Sequence, residues 1–401
     1  MSRFKPVVVE TLPNESTLVT GRPSSCYGQL RERSRFEWRI SDPGDPAQLL
    51  EDFLAGNGLA VRDVAGIGGA HTARCGASVF VSAAAGARMI DAPVGRPSPA
   101  PGVPDVVAVV YAHDEAARPS REEQGERRKR AWRLGAWRDS WTAGEHAGAV
   151  ELARAAIARG DVYQVNVVGH ASAPYTGDPL PALRALAGLP GARYAGVLAG
   201  AGWAIGCASP ETLVEVRGGR IFTRPIKGTR PATAAGRREL LASAKERAEH
   251  IMIVDLERND LARIARTGSV RVDELYVLRR WCDLWQAESV VSAAPAPGVG
   301  LARLLRAVCP GGSVTGAPKL SALREIAAME PVGRGASMGA LGWIGPDHID
   351  LGLTIRTAAA ADGRVHLWAG GGITWSSDAE AEVAEAAAKA APLRRALATG
   401  A

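Results

Sequence analysis

The sequence has little with which to bind zinc or close disulfides. Its five cysteines (Cys26, Cys75, Cys207, Cys282 and Cys309) are odd in number and none stands in C-x-x-C spacing, so neither a zinc site nor a disulfide framework is indicated. A reduced, cytoplasmic setting fits that usage. The opening residues lack the apolar stretch of a secretory leader, and no run of about 18 apolar residues occurs. Neither secretion nor a membrane span is expected. Also missing is a Lys/Arg stripe interleaved with aromatics, although the net charge is +6. That distribution disfavours a nucleic-acid partner and favours attraction of small acidic molecules. The one dense basic run, Arg127 to Arg130, follows Glu122, Glu123 and Glu126 and reads as a solvated helix or loop. A phosphate loop is absent as well. Gly311 and Gly316 have its spacing, but Ala317 stands where its lysine must be, which disfavours a nucleoside triphosphate.

What is present is an ordinary globular composition, 46% apolar and 22% charged over 401 residues, enough for one large domain or two smaller ones. Residues 1–145 read as irregular, with short β-type runs at 77–81 and 106–111 around a loop at 92–104. From about residue 146 the pattern tightens. A helix over 147–159 ends at Gly160, and VYQVNVVGHA after it alternates as a strand does. Strand signals recur at 195–198, 212–216, 220–223, 340–344, 352–356 and 364–369. Helical periodicity covers 237–266, a stretch after Pro318, and 378–397. Strands outnumber βαβ alternations, so the predicted class is α+β with mostly antiparallel sheets.

Several residues could carry chemistry. In IFTRPIKGTRP, Arg224, Lys227 and Arg230 crowd a turn framed by Pro225, Gly228 and Pro231. Such a turn is either merely solvated or holds a reactive amine. Glu382 and Glu385 lie three apart on one helix face, with Lys389 four further on; the bland alternative is a solvated Glu385–Lys389 pair. Glu249 borders an apolar helical run, where an unpaired carboxylate is costly to bury. Three converging carboxylates would suit Mg²⁺. CPGGSVTGAPK runs a Gly-rich loop into a helix, a backbone anion site. AGGGI offers exposed backbone, and Arg356 a bidentate carboxylate contact.

The ordered blocks GDVYQVN (160–166), ASPETLVE (208–215), TRPIKGTRP (223–231), AEHIMIVDLERNDLARIA (248–265), PGGSVTGAPK (310–319), IRT (355–357) and AGGGI (369–373), with a trailing E-x-x-E-x-x-x-K, resemble the chorismate-utilising enzymes. The resemblance covers 160–389. It implies an anthranilate synthase component I-like fold, with antiparallel sheets packed together and helices outside. A weakly matched region 1–145 would precede a chorismate-binding catalytic region 146–401. It further implies that Glu249, Glu382 and Glu385 bind Mg²⁺, and that Glu211 is the general acid. Substrate contacts would come from Gly228, Thr229, Thr315, Gly316, Arg356, Gly371, Gly372 and Lys389.

Two positions separate the branches of this family. Water-adding members carry a general-base lysine where this chain has Gln164, so isochorismate and salicylate formation are disfavoured. Anthranilate synthases read PIAGT, whereas PIKGT here looks like the aminodeoxychorismate synthases, transferases on the path to 4-aminobenzoate and folate. By that resemblance Lys227 attacks C2 of chorismate and ammonia then enters at C4. No G-x-C-x-G thiolate elbow is present, so a separate glutamine amidotransferase subunit is expected to supply the ammonia. Ser289 replaces the family's usual histidine, Ser337 its usual aromatic, and Trp343 its usual tyrosine. The alternatives are anthranilate synthase component I and a weakly active or non-catalytic regulatory homologue.

Overall fold

The computed structural model describes residues 30–67, 74–113 and 131–399. The basic run at 127–130 and Cys26 lie outside them. Two antiparallel sheets form the frame. The larger runs Leu30–Trp38, Val106–His113, Arg74–Val81, Ala340–Ile344, His348–Leu353, Thr212–Arg217, Arg220–Arg224, Leu284–Ala293 and Ile226–Pro231, with Arg271–Trp281 also paired to Leu284–Ala293. The smaller runs Gly316–Ala317, Gln164–Thr176, Arg364–Ile373, Thr357–Ala361, Trp203–Ser209 and Tyr194–Gly200.

The sheets share one core. Val168, Ile205, Ala359 and Trp368 of the smaller sheet pack into the same apolar cluster as Phe80, Val109 and Leu341 of the larger. The Thr357–Ala361 strand, TAAAA, is buried throughout, and its small side chains leave room for bulkier neighbours. On the outer face of the smaller sheet, Leu183 and Leu186 from the Leu180–Ala187 helix meet Leu393 and Leu397 from the Ala379–Thr399 helix. Burying each such leucine stabilises the fold by about 2 kcal/mol. Helices therefore cover sheets that face each other, in line with the antiparallel α+β expectation.

Caps explain where several helices start and stop. Thr142 and Glu145 form a reciprocal capping box, which begins the Ala143–Arg159 helix four residues before the apolar periodicity does. The helical stretch expected over 237–266 is two helices, Ala234–Ala242 and Ala244–Ala262. They divide at Ser243, whose hydroxyl accepts the Glu246 N–H. The strand expected at 352–356 is corrected: pairing stops at Leu353, and Arg356 adopts φ 55°, outside any strand. Residues 1–145 are not simply irregular, because three of their segments are strands of the larger sheet. One of these, Arg74–Val81, pairs with Ala340–Ile344. Among the described residues no helix is long and apolar enough to cross a membrane.

Candidate active site

The turn that holds Lys227 is a strand interrupted by chemistry. Arg220–Arg224 and Ile226–Pro231 run in succession along one edge of Leu284–Ala293. Between them Pro225, which has no N–H to give, breaks the ladder, while its carbonyl still accepts from Ser289 N at 3.1 Å. The register shifts again between Lys227 and Thr229, where Gly228 takes φ 78°. Such a bulge re-aims a side chain. Here it turns the Lys227 amine into a cavity, 3.5 Å from the Ser313 carbonyl. A Cβ at Gly372 would stand 2.6 Å from that amine and 2.5 Å from Gln164 Nε2, so a larger residue would push those two side-chain ends aside. Burial holds the Lys227 pKa below the ordinary lysine value. Nearby Lys389 pushes the same way, against Glu211, Glu249 and Glu385.

Glu211 shares this cavity. It is 3% exposed, and its Oε1 accepts the Ser313 hydroxyl at 2.6 Å and the Ile226 N–H at 3.4 Å. Burial nevertheless pushes its pKa up to about 7, against the pull of Ser313, Lys227, Ile226 and Arg356. A carboxyl poised near neutrality can donate a proton and recover it.

Arg356 faces the same space. It is 7% exposed, its guanidinium lies 4.8 Å from the Trp281 ring centre, and its Nε is buried without a hydrogen-bond partner. Burial lowers its pKa to about 10, against Glu385 and Glu211. A buried guanidinium lacking a full set of partners is costly unless an anion arrives. Its left-handed backbone is likewise uncommon for a non-glycine residue and concentrates at ligand sites.

The Glu249, Glu382 and Glu385 carboxylates line the cavity's other side with Lys389. Thr374 donates to Glu249 Oε1 at 2.9 Å and Ser377 to Glu382 Oε1 at 2.7 Å. Lys389 meets Glu385 Oε1 at 2.5 Å and donates to the Gly370 carbonyl at 3.0 Å. Burial raises the pKa of Glu249 and Glu382, while Lys389 lowers that of Glu385 despite burial. Among the described residues no three such side chains converge as a finished metal cage. In each, the contact named above engages Oε1. Glu382 Oε2 lies against bare backbone, since a Cβ at Gly371 would stand 2.9 Å from it. The three line one cavity as hard oxygen donors, the ligand type that Mg²⁺ takes.

A model of the chorismate binding enzymes matches residues 105–395. The chain belongs to that family. Aminodeoxychorismate synthase component 1 of Klebsiella aerogenes is 39% identical over 257 residues, 62% of this chain and 57% of that protein. Anthranilate synthase component 1 of Streptomyces coelicolor is also 39% identical over 257 residues, 62% of this chain and 50% of that protein. The chain thus spans about half the length of the curated relatives it matches. Anthranilate synthase component I from Streptococcus pneumoniae superposes with a TM-score of 0.73, covering 98% of this chain and 95% of that one at 24% identity. The menaquinone-specific isochorismate synthase of Escherichia coli gives 0.61, over 92% and 95%, at 18% identity. These two likenesses establish the fold.

For a chorismate binding enzyme, the cavity gathers most of the residues that the sequence motifs single out. Lys227, Gly228, Thr229, Glu211, Arg356, Gly371, Gly372, Lys389 and the three acidic residues all line it. Thr315 and Gly316 do not. The Thr315 hydroxyl turns back to the Gly311 carbonyl at 2.8 Å, and Gly316 pairs with Val165. Ser337 and Trp343 are fully buried and also lie outside the lining. Ser289, at the family's histidine position, meets His250 Nε2 at 2.6 Å. Sequence reasoning missed Ser313, the partner of Glu211, and Asn166, whose buried Oδ1 lacks a partner. Both stand inside the quoted motifs, so a polar residue within a Gly-rich loop or after Gln164 was the available signal.

Proposed function

We propose that the chain aminates chorismate at C4, giving 4-amino-4-deoxychorismate, with ammonia from a separate glutamine amidotransferase subunit. The observation that carries this reading is the Lys227 amine inside a cavity that also holds Glu211 and Arg356. Lys227 Nζ, uncharged, forms a bond to C2 of the ring. The ring double bond shifts, and the C4 hydroxyl leaves as water with the proton of Glu211. Ammonia then bonds to C4, the double bond shifts back, the Lys227 amine is released neutral, and the proton shed by the new ammonium returns to the Glu211 carboxylate. The sum is chorismate plus ammonia to aminodeoxychorismate plus water. Two easier displacements replace one hard one, and nitrogen ends at C4 because the lysine has occupied C2.

Glu249, Glu382 and Glu385 would hold Mg²⁺, whose charge would offset that of a substrate carboxylate. Arg356 binds a carboxylate directly. Arg356→Met is expected to raise KM for chorismate about ten- to a hundredfold, the scale of a charge-assisted hydrogen bond, with a smaller change in kcat. Steady-state kinetics in Mg²⁺ and ammonium checks this.

The product decides between readings. Protein, chorismate, Mg²⁺ and ammonium, followed by an aminodeoxychorismate lyase, should yield 4-aminobenzoate. Direct appearance of fluorescent anthranilate would instead support the second reading, anthranilate synthase component I, whose Streptomyces coelicolor member is equally close in identity.

A further inference from the structure

The smaller sheet has a gap in its edge beside the catalytic cavity. One edge of Gln164–Thr176 pairs with Arg364–Ile373. Along the other, Gly316–Ala317 pairs with Val165 and Gln164, and Arg138–Asp139 with Ser172 and Ala171. Among the described residues no strand covers Asn166 or Val168 on that side, and a buried ion pair stands in for one. Glu330 Oε1 accepts the Val168 N–H at 3.1 Å, and Arg334 Nη2 donates to the Asn166 carbonyl at 3.1 Å. The two side chains also meet twice, Arg334 Nε on Glu330 Oε2 at 2.9 Å and Nη2 on Oε1 at 2.6 Å.

The remaining arm of the guanidinium reaches the Gly-rich loop, where Nη1 donates to the Val314 carbonyl at 2.5 Å. Four residues beyond Val314 stands Pro318, which has no N–H, so a helical bond cannot satisfy that carbonyl. Arg334 thus ties together two cavity-lining residues, Asn166 and Val314, without lining the cavity itself. Val314 follows Ser313, whose hydroxyl donates to Glu211 at 2.6 Å and whose carbonyl lies 3.5 Å from the Lys227 amine. For stability alone, an apolar pair would often serve as well as a buried ion pair. A planar fork that engages one carboxylate and the carbonyls of two separate segments is particular to arginine. We propose that Arg334 is a positioning residue, which fixes Ser313 between Glu211 and Lys227 by clamping the loop to the Asn166 strand. This rests on the roles proposed above for Glu211 and Lys227.

A double-mutant cycle on the full chain tests the clamp. Arg334→Lys keeps a cation beside Glu330 but loses the fork, and Ser313→Ala removes the hydroxyl on Glu211. Each is expected to lower kcat about tenfold, the scale of one net hydrogen bond, with KM for chorismate changed less than about twofold. Combined, they should again cost about tenfold rather than about a hundredfold, because both act through the same contact. Glu330→Gln with Arg334→Met removes both buried charges and should reproduce the kcat loss of Arg334→Lys. Independent, multiplying losses, a normal kcat in Arg334→Lys, or a change confined to KM would overturn the proposal. Loss of the fold in both Arg334 variants, seen by circular dichroism, would make the pair structural and overturn it too. The rate is read from whichever product forms, so anthranilate in place of 4-aminobenzoate would sink the amination reading and leave this comparison intact.

Discussion

Lys227→Ala is expected to lower the rate of aminodeoxychorismate formation by about a thousandfold, or about 4 kcal/mol of barrier. The loss should fall on kcat. Chorismate carboxylates would still meet Arg356 and the Mg²⁺ side of the cavity, so KM should change little. The lysine is expected to matter through its lone pair rather than its charge. Arginine at this position, cationic at any working pH, should therefore fail as alanine does. Quench-flow or coupled assay of 4-aminobenzoate checks both variants, and turnover near the wild-type rate in either would contradict the covalent route.

Glu211→Gln is the second large effect. Gln cannot supply a proton to the departing hydroxyl, and the rate should fall by about two to four orders of magnitude. The pH profile gives a separate sign. Lys227 must be neutral, so activity should rise with pH on the acid side. Glu211 must be protonated, so activity should fall again on the alkaline side. The two groups influence one another, and the limbs belong to the pair. The variant should lose the alkaline limb.

Stability should move the other way. The folded state keeps the Glu211 proton up to about 7, whereas the unfolded chain releases it near 4.5. Wild-type stability thus includes a contribution that is present at low pH and lost as pH rises between those values. Gln removes the penalty. At pH 8 the variant should be more stable by about 3 kcal/mol relative to its standing at pH 4, as denaturant titrations at both values would show. Equal differences at the two pH values would mean that Glu211 ionises normally.

The site was legible where chemistry depends on residue type at fixed spacing. Glu382, Glu385 and Lys389 share a helix face by their 3.6-residue period, and the structure keeps them on one cavity wall. Lys227 was visible as an amine in a rigid turn, but its direction depends on a bulge at Gly228 that only the partner strand reveals. Arg356 looked like a strand end. Its left-handed φ falls where the chain passes from the larger sheet to the smaller, and its guanidinium lies over Trp281, neither of which is local. Thr315 stands outside the lining, its hydroxyl satisfied within the Gly-rich loop by the Gly311 carbonyl. The Arg271–Trp281 strand was not read, since RVDELYVLRRW lacks clean alternation and lies largely exposed.

The most direct test is mass analysis of the protein after exposure to chorismate and Mg²⁺ without ammonia. The account predicts an adduct of chorismate less one water on the peptide containing Lys227, absent in Lys227→Ala and discharged by ammonium. Protein that forms aminodeoxychorismate while Lys227 stays unmodified throughout would contradict it.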